Sequence, residues 1–231
     1  MSNAKQLEST RVDSERVRLK VWGAFACFTR PEFKVERMSY PVMTPSAARG
    51  ALEAVYFKPE FHWVIHAISV LKPIKFMAFR RNEVSQRMSP KSKGILADAC
   101  REQRNALILK DVGYVIEAAI AMDGYDPSRP QNNFAKHRSI FLERAAKGQC
   151  HFRPYLGTRE FSAFFGLDDG TSEPIQDSAD FGMMLYDLEY RTDENNRSLG
   201  AECVCFFRAR LEHGVMKTDP QAVVRREEVQ R

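Results

Sequence analysis

Lys136, His137 and Arg138 place an imidazole directly between two cationic side chains. Neighbouring positive charge favours the neutral imidazole, which is the form that a general base requires. On RNA, such a base could take the proton of a 2′-hydroxyl so that the oxygen attacks the adjacent phosphodiester, while Lys136 stabilises charge on the phosphorane. A solvated helix face is the other interpretation of a Lys-His dipeptide, and composition alone favours it.

The remaining histidines and the cysteines have structural explanations. His62 and His66 share a strand face, His151 lies at a strand entry, and His213 lies in a terminal turn. Five scattered cysteines without a CxxC pair argue against a disulfide framework and against a zinc site. Cys203 and Cys205 lie two apart on an expected strand, where we predict core packing. We therefore expect reduced thiols, no metal site and no cofactor.

The charge of the chain is unevenly distributed, although the net charge is only +5. Residues 72–110 carry ten bases against three acids, and residues 129–159 carry seven bases against one acid. Residues 167–195 carry nine acids against one base. Either the acidic segment compensates the basic ones internally, or the basic segments face a polyanion, where neutralised phosphates release condensed counterions.

Aromatic rings alternate with cations in Lys75–Arg81, as single-stranded nucleic acid requires when bases stack on rings and cations follow the backbone. Phe76 and Phe79 could equally belong to a core. The predicted phosphate contacts are Arg80, Arg81 and Arg159, with Arg49 on the first predicted helix as a weaker candidate. Solvated or internally paired arginines are the alternative.

No apolar stretch reaches the ~18 to 20 residues of a membrane helix. The first twenty residues alternate acids and bases without an apolar core, unlike a secretory signal. The sequence thus predicts an intracellular, cytoplasmic protein without a membrane partner.

Hydrophobic periodicity predicts alternating strands and helices. Thr44 and Pro45 form a helix start, and Lys58-Pro59 stops that helix. A second helix over 131–147 ends at Gly148. Strands are predicted at 16–28, 62–71, 74–81, 107–122, 152–165, 181–190 and 202–211.

This order, β, α, β, β, α, β followed by extra strands, predicts an α+β protein. We expect a ferredoxin-like, RRM-related βαββαβ domain over 16–165, carrying a mobile basic insertion at 82–105. A small antiparallel β extension follows at 166–218. Residues 1–15 are expected to be disordered, and 219–231 to form a charged tail.

Four ordered pieces of the chain resemble one known family. They are Ser39–Thr44 running into Gly50 and 54–59, the strand 109–114, the Lys136-His137 pair, and Tyr155–Phe161. Together they resemble the CRISPR-associated Cas five-d family, the subtype I-C member of the RAMP superfamily, over about residues 17–218.

The resemblance implies a ferredoxin-like fold and metal-independent cleavage of the CRISPR repeat RNA at the base of its hairpin. The protein then stays on the 5′ handle within the type I-C surveillance complex, with the other subunits as partners. Family catalysis is attributed to an early helix tyrosine and a Lys-His pair, which maps onto Lys136 and His137. The tyrosine position matches Pro45, which has no proton to give. Tyr40 could supply a phenol from a shifted position.

Three functions therefore stay open from the sequence. The first is a repeat-RNA endoribonuclease, and the second is a non-catalytic crRNA-binding subunit of the same complex. A metal-dependent nuclease is disfavoured, because the acids cluster without a recognisable ligand spacing. The sequence leaves open which repeat is recognised and whether DNA also binds.

Overall fold

The computed structural model describes residues 10–33, 35–86, 88–89, 94–192 and 198–227. Arg87, Lys91 and Lys93 of the basic insertion, and Asp193 and Glu194 of the acidic segment, lie outside the described residues. Within the described part, no helix is both long and apolar enough to span a membrane.

The described chain is a mixed α/β structure, mostly antiparallel sheet with few helices. The strands are β1 (Arg11–Val12), β2 (Val17–Ala26), β3 (His62–Val70), β4 (Phe76–Val84), β5 (Arg101–Met122), β6 (Phe164–Leu167), β7 (Ala179–Thr192), β8 (Ser198–Glu212), β9 (Val215–Lys217) and β10 (Val224–Glu227). The α-helices are α1 (Pro45–Val55) and α2 (Phe134–Ala146).

One sheet joins these strands in the order β10, β8, β9, β3, β5, β2, β6, and β1 and β4 both pair with β5. Every strand pair in it is antiparallel. The 22-residue strand β5 therefore organises the sheet. Both helices share one buried core with the inward side chains of β2, β3 and β5, such as Leu19, Trp63 and Ile116.

Helix α1 begins where the sequence predicts. Thr44 is the N-cap and its hydroxyl accepts a hydrogen bond from the Ala47 amide at 3.3 Å, while Pro45 occupies the first turn. The missing N–H of Pro45 costs nothing there, because no intrahelical acceptor exists for it. The helix ends at Val55, before Lys58-Pro59.

Helix α2 is capped by the Asn133 side chain, which accepts from the Lys136 amide at 3.0 Å. It ends before Gly148, whose φ of 65° is the left-handed conformation expected after a helix. His137, Phe141 and Ala145 are its buried residues. They are four residues apart, so they lie on one face of the helix.

The basic insertion differs from the expectation of a mobile loop at 82–105. Strands β4 and β5 pair continuously from Phe76↔Leu109 to Val84↔Arg101, so residues 82–84 and 101–105 belong to a two-stranded arm. A 3-10 turn, Ala97–Cys100, precedes β5. Both faces of β4 are largely exposed, so the hydrophobic alternation that identifies strands was weak here.

The described residues near both chain ends include strands, where disorder and a charged tail were expected. In the segment 1–15, residues 1–9 lie outside the described part, but Arg11 pairs with Met122 and Asp13 pairs with Arg138. In the segment 219–231, β10 pairs with β8 instead of forming a tail. Long-range strand pairing ordered these polar ends, which local periodicity could not indicate.

The region 152–165 is mostly not a strand, contrary to the prediction. It turns at Gly157, with one bridge between Tyr155 and Ser162, and only β6 joins the sheet, beside β2. The C-terminal part 166–218 contains the β7–β8 hairpin, as expected for an antiparallel extension, but it continues the same sheet through β9 and β3.

Candidate functional site

The imidazole of His137 lies inside the protein. Its residue is 5% exposed, and the ring lies 5.1 Å from the ring centre of Phe61 and 6.0 Å from that of Tyr56. The structure therefore places this candidate base in the core rather than on a solvated helix face. The helix face that carries Phe141 and Ala145 turns His137 into the core.

Both ring nitrogens of His137 have hydrogen-bond partners. Nε2 lies 2.9 Å from the carbonyl oxygen of Gln131, and Nδ1 lies 2.9 Å from the hydroxyl of Tyr56. Because a carbonyl only accepts, Nε2 carries the proton and Nδ1 accepts from the Tyr56 hydroxyl. The imidazole thus connects the turn before α2 to the C-terminal end of α1.

The two cations beside His137 have different environments. Lys136 is exposed and makes no ion pair with a described residue. Arg138 binds the carboxylates of Asp13 and Glu15, the latter at 2.9 Å. Acids from the N-terminal segment therefore neutralise Arg138, which the local charge count could not indicate.

Tyr40 is a core residue. It is 2% exposed, burial raises the pKa of its phenol, and the Arg30 guanidinium lies over its ring at 4.9 Å. Its replacement of the family tyrosine as a proton donor is therefore unsupported by the structure. Pro45 is buried at the start of α1.

The predicted catalytic residues are not brought together. Tyr40 and Pro45 lie near the N-terminal end of α1, whereas His137 contacts Tyr56 at its C-terminal end. The 11 residues of this helix separate the two ends by about 16 Å. Any chemistry by the Lys136-His137 pair therefore proceeds without a group from the start of α1.

A pocket of about 330 Å³ opens at the N-terminal end of α1. Ser46 and Tyr155 line it, and the Ser46 and Thr44 hydroxyls lie 3.1 Å apart. Arg49 also lines it, but its guanidinium binds Asp187 on β7 at 2.9 Å. Sequence reasoning missed Ser46 and Tyr155, although both lie within segments that carry the family resemblance.

The four arginines proposed as phosphate contacts fall into two groups. Arg49 pairs with Asp187 and Glu53, and the largely buried Arg81 pairs with Glu83 and donates to the Val35 carbonyl. Arg80 and Arg159 are exposed and make no ion pair with a described residue. Only the second pair is free for phosphate without rearrangement.

Acids of residues 167–195 pair with arginines that lie outside the two basic segments, 72–110 and 129–159. Arg18 pairs with Asp168, Arg49 with Asp187, Arg208 and Arg210 with Asp180, and Arg225 with Glu189. Several cations of the basic segments therefore make no ion pair with any described residue. They are Lys75, Arg80, Lys110, Lys136, Arg153 and Arg159.

Cys203 and Cys205 are buried in the sheet, as predicted for core residues. Their sulfurs and a carboxylate oxygen of Glu189 lie within 4.8 Å of one another. Burial raises the pKa of the Cys205 thiol to about 12, and Arg225 already binds Glu189. A protonated thiol and a paired carboxylate are poor metal ligands.

Comparison with known proteins identifies relatives over nearly the whole chain. The family model for CRISPR-associated proteins of the Cas5d type matches residues 17–219. A protein of Mannheimia succiniciproducens is 42% identical over 226 residues, covering 90% of this chain and 96% of its own. A protein of Thermus thermophilus is 43% identical over 212 residues, covering 86% and 89%. Both are named CRISPR pre-crRNA endoribonuclease Cas5d.

Two solved structures share the fold. One is a CRISPR-associated protein with a TM-score of 0.64 and 21% identity, covering 94% of this chain and 96% of that one. The other is a functionally uncharacterized Streptococcus mutans protein with a TM-score of 0.63, 21% identity and the same coverage.

Proposed function

Because this chain belongs to the CRISPR-associated Cas5d family, we propose that it is an endoribonuclease that cuts CRISPR repeat RNA. The observation that carries the proposal is the identity above 40%, over most of the chain, with two proteins named pre-crRNA endoribonucleases. The unpaired cations Arg80, Lys136 and Arg159 support a polyanionic substrate.

The proposal includes a ferredoxin-like core made of β2, α1, β3, β5, α2 and β6. The neighbour order β3, β5, β2, β6, with every pair antiparallel, supports it. So does the packing of both helices into one core. In such a unit, each helix connects two strands of the sheet on one face.

The proposed chemistry needs no metal and uses Lys136 and His137. His137 takes the proton of a 2′-hydroxyl, the oxygen attacks phosphorus, the P–O5′ bond breaks, and the leaving 5′-oxygen takes a proton from water. The products are a 2′,3′-cyclic phosphate and a 5′-hydroxyl. His137 must first lose the Tyr56 hydroxyl, since that hydroxyl occupies Nδ1, the ring nitrogen that carries no proton.

A non-catalytic crRNA-binding subunit is the second candidate. The buried imidazole and the proline at the family's tyrosine position favour it. Either candidate places the chain in the cytoplasm, on crRNA, with the other subunits of a type I-C surveillance complex as partners. Titration with DNA of the same sequence tests whether DNA binds as well.

Incubation with the chain's own repeat hairpin in EDTA separates the candidates. Wild type should cleave, and Lys136→Ala should slow single-turnover cleavage ~10²- to 10³-fold without changing stability, because this lysine is exposed. His137→Ala should also stop cleavage, but it leaves the buried Tyr56 hydroxyl unpaired and so affects folding as well.

His151→Ala is the matched control. This exposed histidine lies beside the same end of α1, since its amide donates to the Ala54 carbonyl at 2.8 Å. It should cleave like wild type. Tight binding without cleavage would support the binding subunit, and cleavage only with magnesium would support a metal-dependent nuclease. Loss of cleavage in His151→Ala alone would reassign the base.

A further inference from the structure

A second pocket, of about 600 Å³, lies on the sheet face opposite α1 and α2. Lys20 and Trp22 of β2 line it, and they alternate with the buried core residues Leu19 and Val21. Alternation along a strand sends these two side chains to the face away from the helices. This pocket is therefore distinct from the region around His137.

Two glycines keep the floor of this pocket open. Gly113 pairs across the sheet with Trp22, and Gly166 pairs with Lys20. A Cβ at Gly166 would meet no atom within 4 Å, so it would project into empty space. A flat ligand could therefore lie against the backbone beside the Trp22 ring.

Trp22 presents an aromatic platform to this pocket. Although it is a large apolar residue, it remains 36% exposed. It stacks on Phe164 with ring centres 6.0 Å apart and planes 22° apart, and the Arg153 guanidinium lies over the Phe164 ring at 5.3 Å. Exposed aromatic rings beside a cation are the usual platform for unpaired nucleobases.

The polar groups of the pocket suit the edge of a base better than a phosphate. Glu173 lines the pocket and is exposed, and Lys72 is already bound to Asp111 at 2.6 Å. A carboxylate repels phosphate but accepts from the N–H groups of a base.

Cations for the sugar-phosphate backbone lie just outside. Lys110 pairs with Phe25, three residues along β2 from Trp22, which is about 10 Å along a strand. The Lys110 amide donates to the Lys75 carbonyl at 2.9 Å, so these two lysines are neighbours. Neither makes an ion pair with a described residue. The arrangement resembles other single-strand sites, where bases stack while cations follow the backbone.

We propose that this pocket holds one unpaired nucleobase of the bound RNA, stacked on Trp22 and hydrogen-bonded at its edge by the carboxylate of Glu173. The inference rests on the proposed function, because it takes repeat RNA as the ligand. It adds a base-binding site on the face opposite the helices, so the RNA must contact both faces of the sheet.

Trp22 provides its own signal for the test. The chain has two tryptophans, and the other, Trp63, is 3% exposed and donates to the Tyr56 carbonyl. Repeat RNA with a 2′-deoxy scissile nucleotide, titrated into the full chain, should quench tryptophan emission in a saturable way. Trp22→Phe should bind with similar affinity but show little quenching.

Gly166→Leu should place an apolar side chain in the pocket, since a Cβ there meets no atom within 4 Å, and should weaken RNA binding ~5- to 150-fold, the factor for losing one stacked base. Phe57→Ala is the control for loss of an exposed aromatic ring elsewhere, because Phe57 is 54% exposed and does not line this pocket. It should keep wild-type quenching and affinity. Unchanged melting temperatures show that both variants are folded.

The outcomes separate this inference from the proposed function. RNA that binds and is cleaved without changing Trp22 emission would overturn the base site and leave the nuclease intact. So would wild-type affinity in Gly166→Leu. Failure of the wild type to bind any repeat RNA would overturn both.

Discussion

The Tyr56 hydroxyl and Nδ1 of His137 lie 2.9 Å apart in the core, although 81 positions separate them in the chain. This hydrogen bond joins the C-terminal end of α1 to the first turn of α2. The family resemblance rests on these two regions as separate pieces of the sequence. It gives His137 a structural role in addition to any chemical one. In the chemistry that we propose, release of this contact is therefore part of the cost of catalysis.

Tyr56→Phe should destabilise the fold, because it leaves Nδ1 of His137 buried without a donor while keeping the ring. An unsatisfied buried polar group costs about 1 to 3 kcal/mol. Urea unfolding should show this loss as a lower midpoint with an unchanged slope. If freeing His137 assists catalysis, the single-turnover rate of the folded variant should equal or exceed that of wild type.

Tyr125→Phe serves as the control for the loss of a hydroxyl. Tyr125 is half-buried against Phe134, and its hydroxyl has no hydrogen bond with a described residue. Its replacement should change stability by less than about 0.5 kcal/mol. Equal effects of the two substitutions would show that the Tyr56–His137 hydrogen bond contributes nothing.

Gly157→Ala should be strongly destabilising. Gly157 has a φ of 87°, and a Cβ there would lie 2.0 Å from the Cys27 carbonyl oxygen. Gly148→Ala offers a comparison, because Gly148 also has positive φ but open space around its Cβ. The left-handed backbone alone costs about 1 to 2 kcal/mol, so Gly157→Ala should exceed Gly148→Ala in urea unfolding. Equal losses would contradict the close approach to Cys27.

Asp180 should make the β7–β8 hairpin sensitive to acid. Hydrogen bonds from Arg208 and the Gly182 amide lower the pKa of its carboxyl to about 2. Because the folded-state pKa lies below the ordinary value, the stabilisation is complete above that value and disappears as the pH falls towards 2.

Urea unfolding of Asp180→Asn should therefore show lower stability than wild type at pH 7. This difference in stability should shrink between pH 4 and pH 3, because wild-type Asp180 begins to take up a proton there. Asp177→Asn is the control, because this exposed carboxyl makes no ion pair with a described residue. High salt should reduce the Asp180 effect, since its partners are exposed. A difference independent of pH would contradict the assignment.

The order of elements could be predicted from the sequence, because it follows from local signals. Thr44-Pro45 and Gly148 marked helix ends through their own backbone chemistry. Strands at 74–81 and 107–122 were predicted, but the extension of β4 to Val84 and of β5 back to Arg101 was missed, since these polar residues lack the alternation that identifies strands.

The site was harder to predict, because its partners are distant in the chain. The burial of His137 had a signal, since Phe141 and Ala145 follow it at intervals of four on one helix face. Its contact with Tyr56, and the pairing of Arg138 with Asp13, had none. Charge counted along the chain cannot show which acid neutralises which base in space.

The most direct test of metal-independent cleavage by 2′-hydroxyl attack is single-turnover cleavage of the repeat hairpin in EDTA, with and without a 2′-deoxy substitution at the scissile nucleotide. The account predicts cleavage of the ribose substrate to a 2′,3′-cyclic phosphate, and no cleavage of the deoxy substrate at equal occupancy. Cleavage of the deoxy substrate, or a product with a free 3′-hydroxyl, would contradict it.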